Sequence, residues 1–373
     1  MASGVQLSLK IGPIPIAAPR EVVEALVSVK VECGSGGTQS GFEMTFELPA
    51  RSPLRTLFLV TGGGSLPLMR VVLSVTINGQ AQAIIDGVTT NVEAQPGEGG
   101  VARLVVKGKD LSALMSLIEI PGLPFPAMPP SVRVLLILAK YAAFGVIPVV
   151  IPSILDIPPL PMQRIPAQRG NDYAYLQRLA GQAGYVFYLE PGAPGTSKAY
   201  WGPEVRVGEP QAALTTNMDA QSNVERISFT FDKEKKSTPI VFFQEPFSKA
   251  PIGLPIPDVT PLNPPLGIVP PLPPTIVQLD YTAHLSAPEA LMAGLAYAGQ
   301  HSDSVFGTGS LDVAKYGRLL KSRQLVGVRG AGEPFDGLYY VKRVTHEIQR
   351  GSYKQSFALA RNALISTVSR VPT

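Results

Sequence analysis

The chain has 373 residues, of which 45% are hydrophobic and 16% charged, and its formal net charge is +4. This length is sufficient for two or three domains, each with its own core. The low charged fraction suits a subunit of an assembly, and the small net charge, without basic runs between aromatic residues, argues against a nucleic-acid-binding surface.

The N-terminal part of the chain alternates β-forming and polar residues. Strands are predicted at Val5–Lys10, Val22–Glu32, Gly41–Leu48, Val71–Ile77, Gln80–Val88 and Val101–Gly108. The dipeptide Asn78-Gly79 between two of these strands is a strong hairpin signal. Short strands separated by turns, with little helix, predict an antiparallel β-barrel or sandwich over residues 1–108.

After residue 108 the apolar residues recur with a period of about 3.6, which is typical of helices. Three helices are predicted, at Lys109–Ile118, Ser131–Phe144 and Asn171–Gly184. We expect Ser131 to cap the second helix, Asn171 or Asp172 to cap the third, and Gly184 to end it. Two strands, Tyr185–Glu190 and Lys198–Pro203, should follow. Residues 109–219 are therefore predicted to form a mixed α/β domain, with proline-rich stretches inside 121–166.

The C-terminal part again alternates with the period of a strand. Strands are predicted at Asn223–Phe231, Pro239–Gln244, Leu325–Gly330, Gly337–Ile348 and Tyr353–Arg361. The last two form a hairpin through the turn at 349–352. A helix at Ser286–Gly299 has the capping-box residues Ser286 and Glu289, within a segment, 286–325, predicted to be helical. Residues 246–274 are proline-rich without periodicity and are predicted to be an extended loop, in solvent or against a neighbour.

The predicted fold class is mainly β with an α+β insertion. Two antiparallel, tube-like β-barrels, residues 1–108 and 220–373, flank the mixed α/β domain, residues 109–219. Residues 1–20 lack the pattern of a secretory signal, and the apolar stretch Val132–Leu155 is interrupted by charged residues, glycine and prolines. We therefore expect a chain that is made in the cytoplasm and is not inserted in a membrane.

Catalytic interpretations are weak in this sequence. His346 has Glu347 beside it, but no serine, cysteine or second acid is spaced to act with it. Asp303 and Asp312 are the acidic residues from which a glycoside-hydrolase pair could be built, although acidic residues near helix ends are commoner as caps. We predict no catalytic residue.

Binding motifs for small ligands are equally weak. Gly62–Gly64 and Gly327–Gly332 lack the strand–loop–helix context of a phosphate loop, so both are interpreted as turns. The three histidines, His284, His301 and His346, lack metal-ligand spacing, and the single cysteine, Cys33, excludes an internal disulfide and is interpreted as a packed residue. We predict no cofactor and no metal.

An alternative class is a carbohydrate- or surface-binding β-module. Aromatic residues that could line a sugar-stacking face cluster in the middle of the chain: Tyr173, Tyr175, Tyr185, Tyr188, Tyr200 and Trp201. Tyr173 and Tyr175 are two apart on a predicted helix and so point to different sides. Core and interface packing is the preferred interpretation of these rings.

Four stretches, in this order, resemble the late-control D family, the central hub proteins of contractile phage tails. Lys107–Met115 resembles the end of the family's first barrel, and Asn171–Tyr188 its helix–strand signature in the middle domain. Gly330–His346 and Tyr353–Asn362 resemble its second barrel. The same pattern forms the N-terminal part of VgrG spike proteins in type VI secretion.

The resemblance implies a homotrimer in which two barrels per chain make a pseudo-sixfold ring. Such a hub is a structural adaptor between the sixfold inner tube and the threefold spike, within the baseplate of a phage tail or injection-system particle. Its partners would be the inner tube protein, a spike-tip protein and other baseplate subunits. Interface candidates carried by the resemblance are Asp110, Tyr173, Phe335, Asp336, Tyr339 and Tyr340.

The sequence departs from this family in two respects. In VgrG the hub is followed by an OB-fold and a β-helical needle, whereas this chain ends at Thr373, so a separate spike-tip protein is expected. The proline-rich segments, 121–166 and 246–274, have no counterpart in the family pattern. Our hypothesis is that at least one of them docks against a baseplate partner.

Overall fold

The computed structural model describes residues 5–49, 52, 69–96, 101–153, 156–158, 161–162, 165–193, 195–218, 221–245, 248, 250–257, 263–271, 275–280, 282, 286–368 and 371. Gly62–Gly64, considered above as a phosphate loop, and His284, considered as a metal ligand, lie outside the described residues.

Elements of the N-terminal part are β1 (Val5–Gly12), β2 (Ile16–Ala17), α1 (Arg20–Ala25), β3 (Leu26–Gly34), β4 (Gly41–Pro49), β5 (Arg70–Ile77), β6 (Gln80–Pro96) and β7 (Val101–Asp110). Those of the middle part are a 3-10 helix (Leu111–Ser116), β8 (Glu119–Pro124), α2 (Pro130–Ala139), a second 3-10 helix (Ala142–Phe144), β9 (Val146–Val150), β10 (Ala167–Asn171), α3 (Asp172–Gln182), β11 (Val186–Pro191) and β12 (Ser197–Gly202).

The C-terminal part contains β13 (Gln211–Thr215), β14 (Arg226–Phe231), β15 (Ser237–Gln244), β16 (Pro251–Pro255), β17 (Gly267–Val269), β18 (Thr275–Gln278), α4 (Ala287–Gln300), β19 (Val305–Asp312), α5 (Val313–Tyr316), β20 (Leu325–Arg329), β21 (Gly337–Gln349), β22 (Ser352–Arg361) and β23 (Leu364–Ser366).

One 13-stranded sheet unites the first and last parts of the chain. Its order is β14-β19-β22-β21-β3-β4-β7-β6-β5-β1-β2, with β20 added to β21 and β13 to β20. The junction is the antiparallel pair of β3 and β21, and one hydrophobic core draws residues from both parts. The chain is mainly β, as predicted. Among the described residues, the end strands β2 and β14 do not pair with each other, so the sheet is open and the two-barrel division stays a prediction.

Local signals are confirmed where they are strongest. Asn78 and Gly79 form the two-residue turn between β5 and β6. Their φ angles are 50° and 80°, and this hairpin turn requires positive φ at both central residues. Asn171 caps α3 by accepting a hydrogen bond from the Ala174 amide, and Ser286 and Glu289 form the capping box of α4. The C-terminal hairpin of β21 and β22 is also confirmed.

Three predictions near helix ends are wrong in detail. Residues 22–25, predicted as strand, belong to α1, whose one buried side chain, Val22, packs into the core. Ser131 does not cap α2: the helix begins with Pro130, a residue suited to the first helical position, and Ser131 donates to Asp156 instead. The helix predicted at Lys109–Ile118 is a 3-10 helix over 111–116, capped by Asp110.

The segment predicted to be helical, residues 286–325, contains a strand. Beyond α4, residues Val305–Asp312 form β19 between β14 and β22. Its glycines weakened the strand pattern, yet packing requires them: a Cβ at Gly307 would lie 2.9 Å from the Phe229 ring, and one at Gly309 2.6 Å from the Phe357 ring. The glycines make room for aromatic side chains of the neighbouring strands.

The proline-rich segment 246–274 is more structured than predicted. In its described part, β16 pairs with β15 and β17 with β23. Strand β15, predicted for the second barrel, instead forms a three-stranded sheet with β16 and β18, against which α4 packs. The middle part has its own core, in which Phe187 and Trp201 from the sheet β11-β12-β9 face Leu176 and Leu179 of α3.

Candidate assembly surface

The two faces of the 13-stranded sheet differ in chemistry. Side chains of a strand alternate between faces, and on β22 the buried Tyr353 and Phe357 alternate with the polar Lys354 and Ser356. The polar face continues over β14, β19, β21, β3, β4 and β7. Near β14 it is concave, with a recess of about 470 Å³ whose lining includes Arg226, Ser228, Thr308, Arg343, Thr345 and Ser356.

A row of charges with alternating sign crosses this polar face. The residues that pair directly across neighbouring strands are, in order, Asp312, Lys354, Glu347, Lys30, Glu43 and Lys107. Opposite charges at directly facing positions stabilise a sheet, whereas like charges destabilise it. The row crosses the junction of β3 and β21 without a break in its alternation. The row of charges therefore favours one register of the pairing between β3 and β21. Because its positive and negative charges alternate, the middle of the polar face is nearly neutral.

Replacing Lys30 with glutamate should weaken the sheet at this junction. The new carboxylate would face Glu347 and Glu43, so we expect the free energy of unfolding to fall by about 1 kcal/mol in urea denaturation. The matched control, Lys30→Gln, loses attraction without adding repulsion and should cost less. The difference between the variants should shrink in high salt, and equal stabilities at low salt would contradict the electrostatic role of the row.

The first three predicted interface residues have partners within their own chain. Asp110 is buried and accepts hydrogen bonds from the amides of Ser40 and Ser112, and burial raises its pKa. The Tyr173 hydroxyl donates to the Gly37 carbonyl at 2.8 Å, joining α3 to the N-terminal part. The Phe335 ring stacks on Phe229 with centroids 5.3 Å apart.

The other three lie where β21 begins. Asp336 accepts a hydrogen bond from the Ala331 amide at 2.7 Å, and Tyr339 donates to the Phe335 carbonyl at 2.8 Å. Tyr340 is buried beneath the Arg206 guanidinium. All six residues thus have roles in the fold, and contacts between any of them and another chain stay a prediction.

The residues considered for catalysis are separated by the fold. His346 is buried, its Nδ1 lies 2.7 Å from the Tyr353 hydroxyl, and burial lowers its pKa to about 4. Asp312 caps α5 through the Ala314 amide. Asp303 pairs with Arg206, so Asp303 and Asp312 do not form a carboxylate pair with a shared role.

A buried ion-pair cluster, not foreseen from the sequence, joins the middle part to the sheet. Arg206 is 1% exposed and donates to both carboxylate oxygens of Asp303, at 2.5 and 3.0 Å. Glu204 lies 3.0 Å from the same guanidinium, and the Lys342 ammonium lies 3.2 Å from Asp303. Burial alone would raise the pKa of Asp303, but Arg206 and Lys342 outweigh it and lower the pKa to about 2.

The aromatic residues considered for sugar binding are used in packing. Trp201 is fully buried, with the Tyr185 ring edge-on at 4.9 Å. Tyr188 stacks on Tyr200 at 5.1 Å, and the Arg323 guanidinium lies 3.9 Å from the Tyr188 ring centre. These rings do not form an open stacking platform, so the geometry supports their interpretation as packing residues.

Other predicted groups also have structural surroundings. Cys33 has its pKa raised to about 11 by burial, and Gly327–Gly332 leads from β20 into a loop and then β21, not into a helix. Within the described residues, no cluster of three or more His, Cys, Asp or Glu side chains could hold a metal ion. Nor does any described helix have the length and apolar content to cross a membrane.

Known structures share this fold at low sequence identity. A tail protein from Neisseria meningitidis MC58 aligns over 96% of this chain and 97% of its own, with 16% identity and a TM-score of 0.62. The 43 kDa tail protein of prophage MuSo2 from Shewanella oneidensis aligns over 96% and 99%, with 12% identity and a TM-score of 0.62.

A third structure comes from secretion. An Escherichia coli component of the type VI secretion system, described as structurally similar to the T4 bacteriophage tail proteins gp27 and gp5, aligns over 94% of this chain and 75% of its own, with 12% identity and a TM-score of 0.52. No protein-family model matches the chain, and no curated protein matches it in sequence. These likenesses establish the fold alone.

Proposed function

We propose that this protein is a non-enzymatic hub subunit in the baseplate of a contractile phage tail or related injection system. As a homotrimer it would join the sixfold inner tube to the threefold spike and contact other baseplate subunits. The observation that carries the proposal is the fold, shared over nearly the full length of two tail proteins, one of them from a prophage. The mainly β architecture and the extended polar sheet face fit a structural role.

Two strand edges that have no partner among the described residues support the proposed trimer. On β14, the Asp232 amide donates to the Ser304 carbonyl, so by alternation the amides of Ile227, Phe229 and Phe231 point away from β19. Among the described residues, the second half of β6 pairs only with β7. Open edges of this kind are templates for pairing with another chain. We propose that β14 of one chain pairs with this half of β6 in the next.

Pairing at these edges would continue the polar face from chain to chain. In a closed ring of three chains that face would line the central passage, with the alternating charge row near its middle. Its balanced charges and hydroxyl groups would present a passing macromolecule with a hydrated wall of little net charge. The apolar face would stay in the core of each subunit.

The proposed trimer is tested by blocking the edge of β14. The variant Ile227→Pro removes an amide that points to the open side while leaving the pairing with β19 intact. The matched control, Ile227→Ala, shortens the same side chain but keeps the amide. Light scattering over a range of concentrations should give a trimer for the unmodified chain and the control, and a smaller species for Ile227→Pro.

Far-UV circular dichroism should show the same β content in all three proteins, so that a loss of assembly is not confused with unfolding. A strict monomer for the unmodified chain at every concentration would contradict the hub. A folded Ile227→Pro variant that still forms the trimer would contradict the assigned edge.

A further inference from the structure

A cavity lies where the three parts of the chain meet. It has a volume of about 80 Å³ and is lined by β3, β6 and β7, by β11 and β12, and by residues 319–323. A water molecule needs only about 10–15 Å³ of such volume, so the cavity has room for several waters or for one small ion with its hydration.

Arg323 is one of the residues that line this cavity, and one edge of its guanidinium is unpaired among the described residues. Its Nε and Nη2 atoms are buried and have no hydrogen-bond partner among the described residues, while its Cζ atom lies 3.9 Å from the centre of the Tyr188 ring. The backbone of Arg323 has a φ of 64°, a conformation that side-chain-bearing residues rarely adopt. Guanidinium nitrogens that are buried without a hydrogen-bond partner are costly, and a strained backbone held in place by its surroundings often marks a functional position.

The same chain shows what such an edge binds. In Arg70, Nε and Nη2 donate in parallel to the two carboxylate oxygens of Asp86, at 2.7 and 2.6 Å. Arg323 offers the same two atoms with the same fork geometry, so it fits two oxygens of one oxyanion. Gln82 also lines the cavity, and its buried Oε1 has no hydrogen-bond partner among the described residues; rotating the terminal amide would put an NH2 donor in the place of this oxygen.

Three acidic residues line the cavity, and two of them, Asp86 and Asp110, have hydrogen-bond partners. Asp86 is paired with Arg70 and also accepts from Ser197, and Asp110 is hydrogen-bonded by Ser40 and Ser112. Glu190 also lines the cavity, and Lys321 adds a second positive charge.

We propose that this cavity is a binding site for a small oxyanion, held by the Nε–Nη2 edge of Arg323. The anion would join β6, β11 and β12 to the loop before β20, and so stabilise the junction of the three parts. Inorganic phosphate, sulfate and simple carboxylates share the required chemistry. The inference does not depend on the proposed hub function or on the trimer.

The test compares inorganic phosphate, sulfate, acetate and chloride at constant ionic strength and pH. An oxyanion that binds the folded state raises the melting temperature in proportion to the logarithm of its concentration, whereas chloride lacks the paired oxygens. We expect at least one of the three oxyanions to raise the melting temperature, and the differences among the three rises identify the preferred class of oxyanion.

The rise in melting temperature should vanish in Arg323→Gln. It should shrink in Arg323→Lys, which keeps the positive charge but loses the two parallel N–H donors. Arg343→Gln, on the polar sheet face, is the matched control and should keep it.

Equilibrium dialysis of the unmodified chain with radiolabelled phosphate, sulfate and acetate keeps the inference testable if the Arg323 variants fail to fold. We expect one anion bound per chain for the preferred class. Equal melting temperatures in all four salts, together with no bound anion in dialysis, would overturn the site, and so would a loss of the effect in Arg343→Gln. A high-resolution crystal structure grown with the preferred anion and showing water alone beside Arg323 would also overturn it.

Discussion

The variant Asp303→Asn is expected to lose about 3–5 kcal/mol of unfolding free energy. The substitution keeps the size of the side chain but removes the charge that compensates the buried guanidinium of Arg206. Glu204 lies 3.0 Å from the same group and can offset only part of the loss, since it does not replace the two bonds to Asp303. Urea denaturation followed by circular dichroism measures the change.

Two further variants separate the buried charge from other effects. Glu225→Gln breaks an exposed ion pair with Lys354 and should cost less than about 1 kcal/mol. Adding Arg206→Met to Asp303→Asn removes the uncompensated charge and should recover part of the stability. If Asp303→Asn is no more costly than Glu225→Gln, the buried cluster does not stabilise the junction as we infer.

Acid is expected to destabilise the protein in a pH range set by His346. Burial lowers the pKa of this side chain from 6.5 to about 4, so the unfolded chain binds a proton before the folded chain does. The contribution of neutral His346 is therefore complete above pH 6.5 and is lost as the pH falls to about 4. The loss is on the order of 3 kcal/mol, measured as unfolding free energy at a series of pH values.

A histidine variant isolates this contribution. The side chain of His346→Gln does not titrate, so the stability of this variant should change less between pH 6.5 and 4 than that of the unmodified chain. Asp303 contributes to stability over a lower pH range, because its pKa is lowered from 3.8 to about 2. Its contribution to the free energy of unfolding is complete above pH 4 and is lost as the pH falls to about 2. A pH profile unchanged by His346→Gln would contradict the assignment.

Much of the local structure could be predicted because its causes are local. The turn at Asn78-Gly79, the cap at Asn171 and the capping box of Ser286 and Glu289 each depend on residues close together in sequence. Strand β19 was missed because Gly307 and Gly309 are explained only by Phe229 and Phe357 on neighbouring strands. The periodicity of one segment carries no information about such neighbours.

The sites at the junctions could not be predicted for the same reason. Arg206 and Asp303 are 97 residues apart, and their pairing depends on how the middle part packs on the sheet. The alternating charge row requires the register of several strand pairs, which strand patterns alone do not fix. Arg323 shows its importance only through its unpaired atoms and its backbone conformation, and neither is visible in the sequence.

The pairing of β3 with β21 has a consequence during protein synthesis. Glu347 pairs with Lys30, so 317 residues separate the partners. A ribosome adding about 5–20 residues per second needs roughly 16–60 s to make that stretch. During this time the edge of β3 that β21 will cover has no partner, and unpaired edges invite aggregation. Newly made chains should therefore need protection, for instance from a chaperone, until the C-terminal hairpin has emerged.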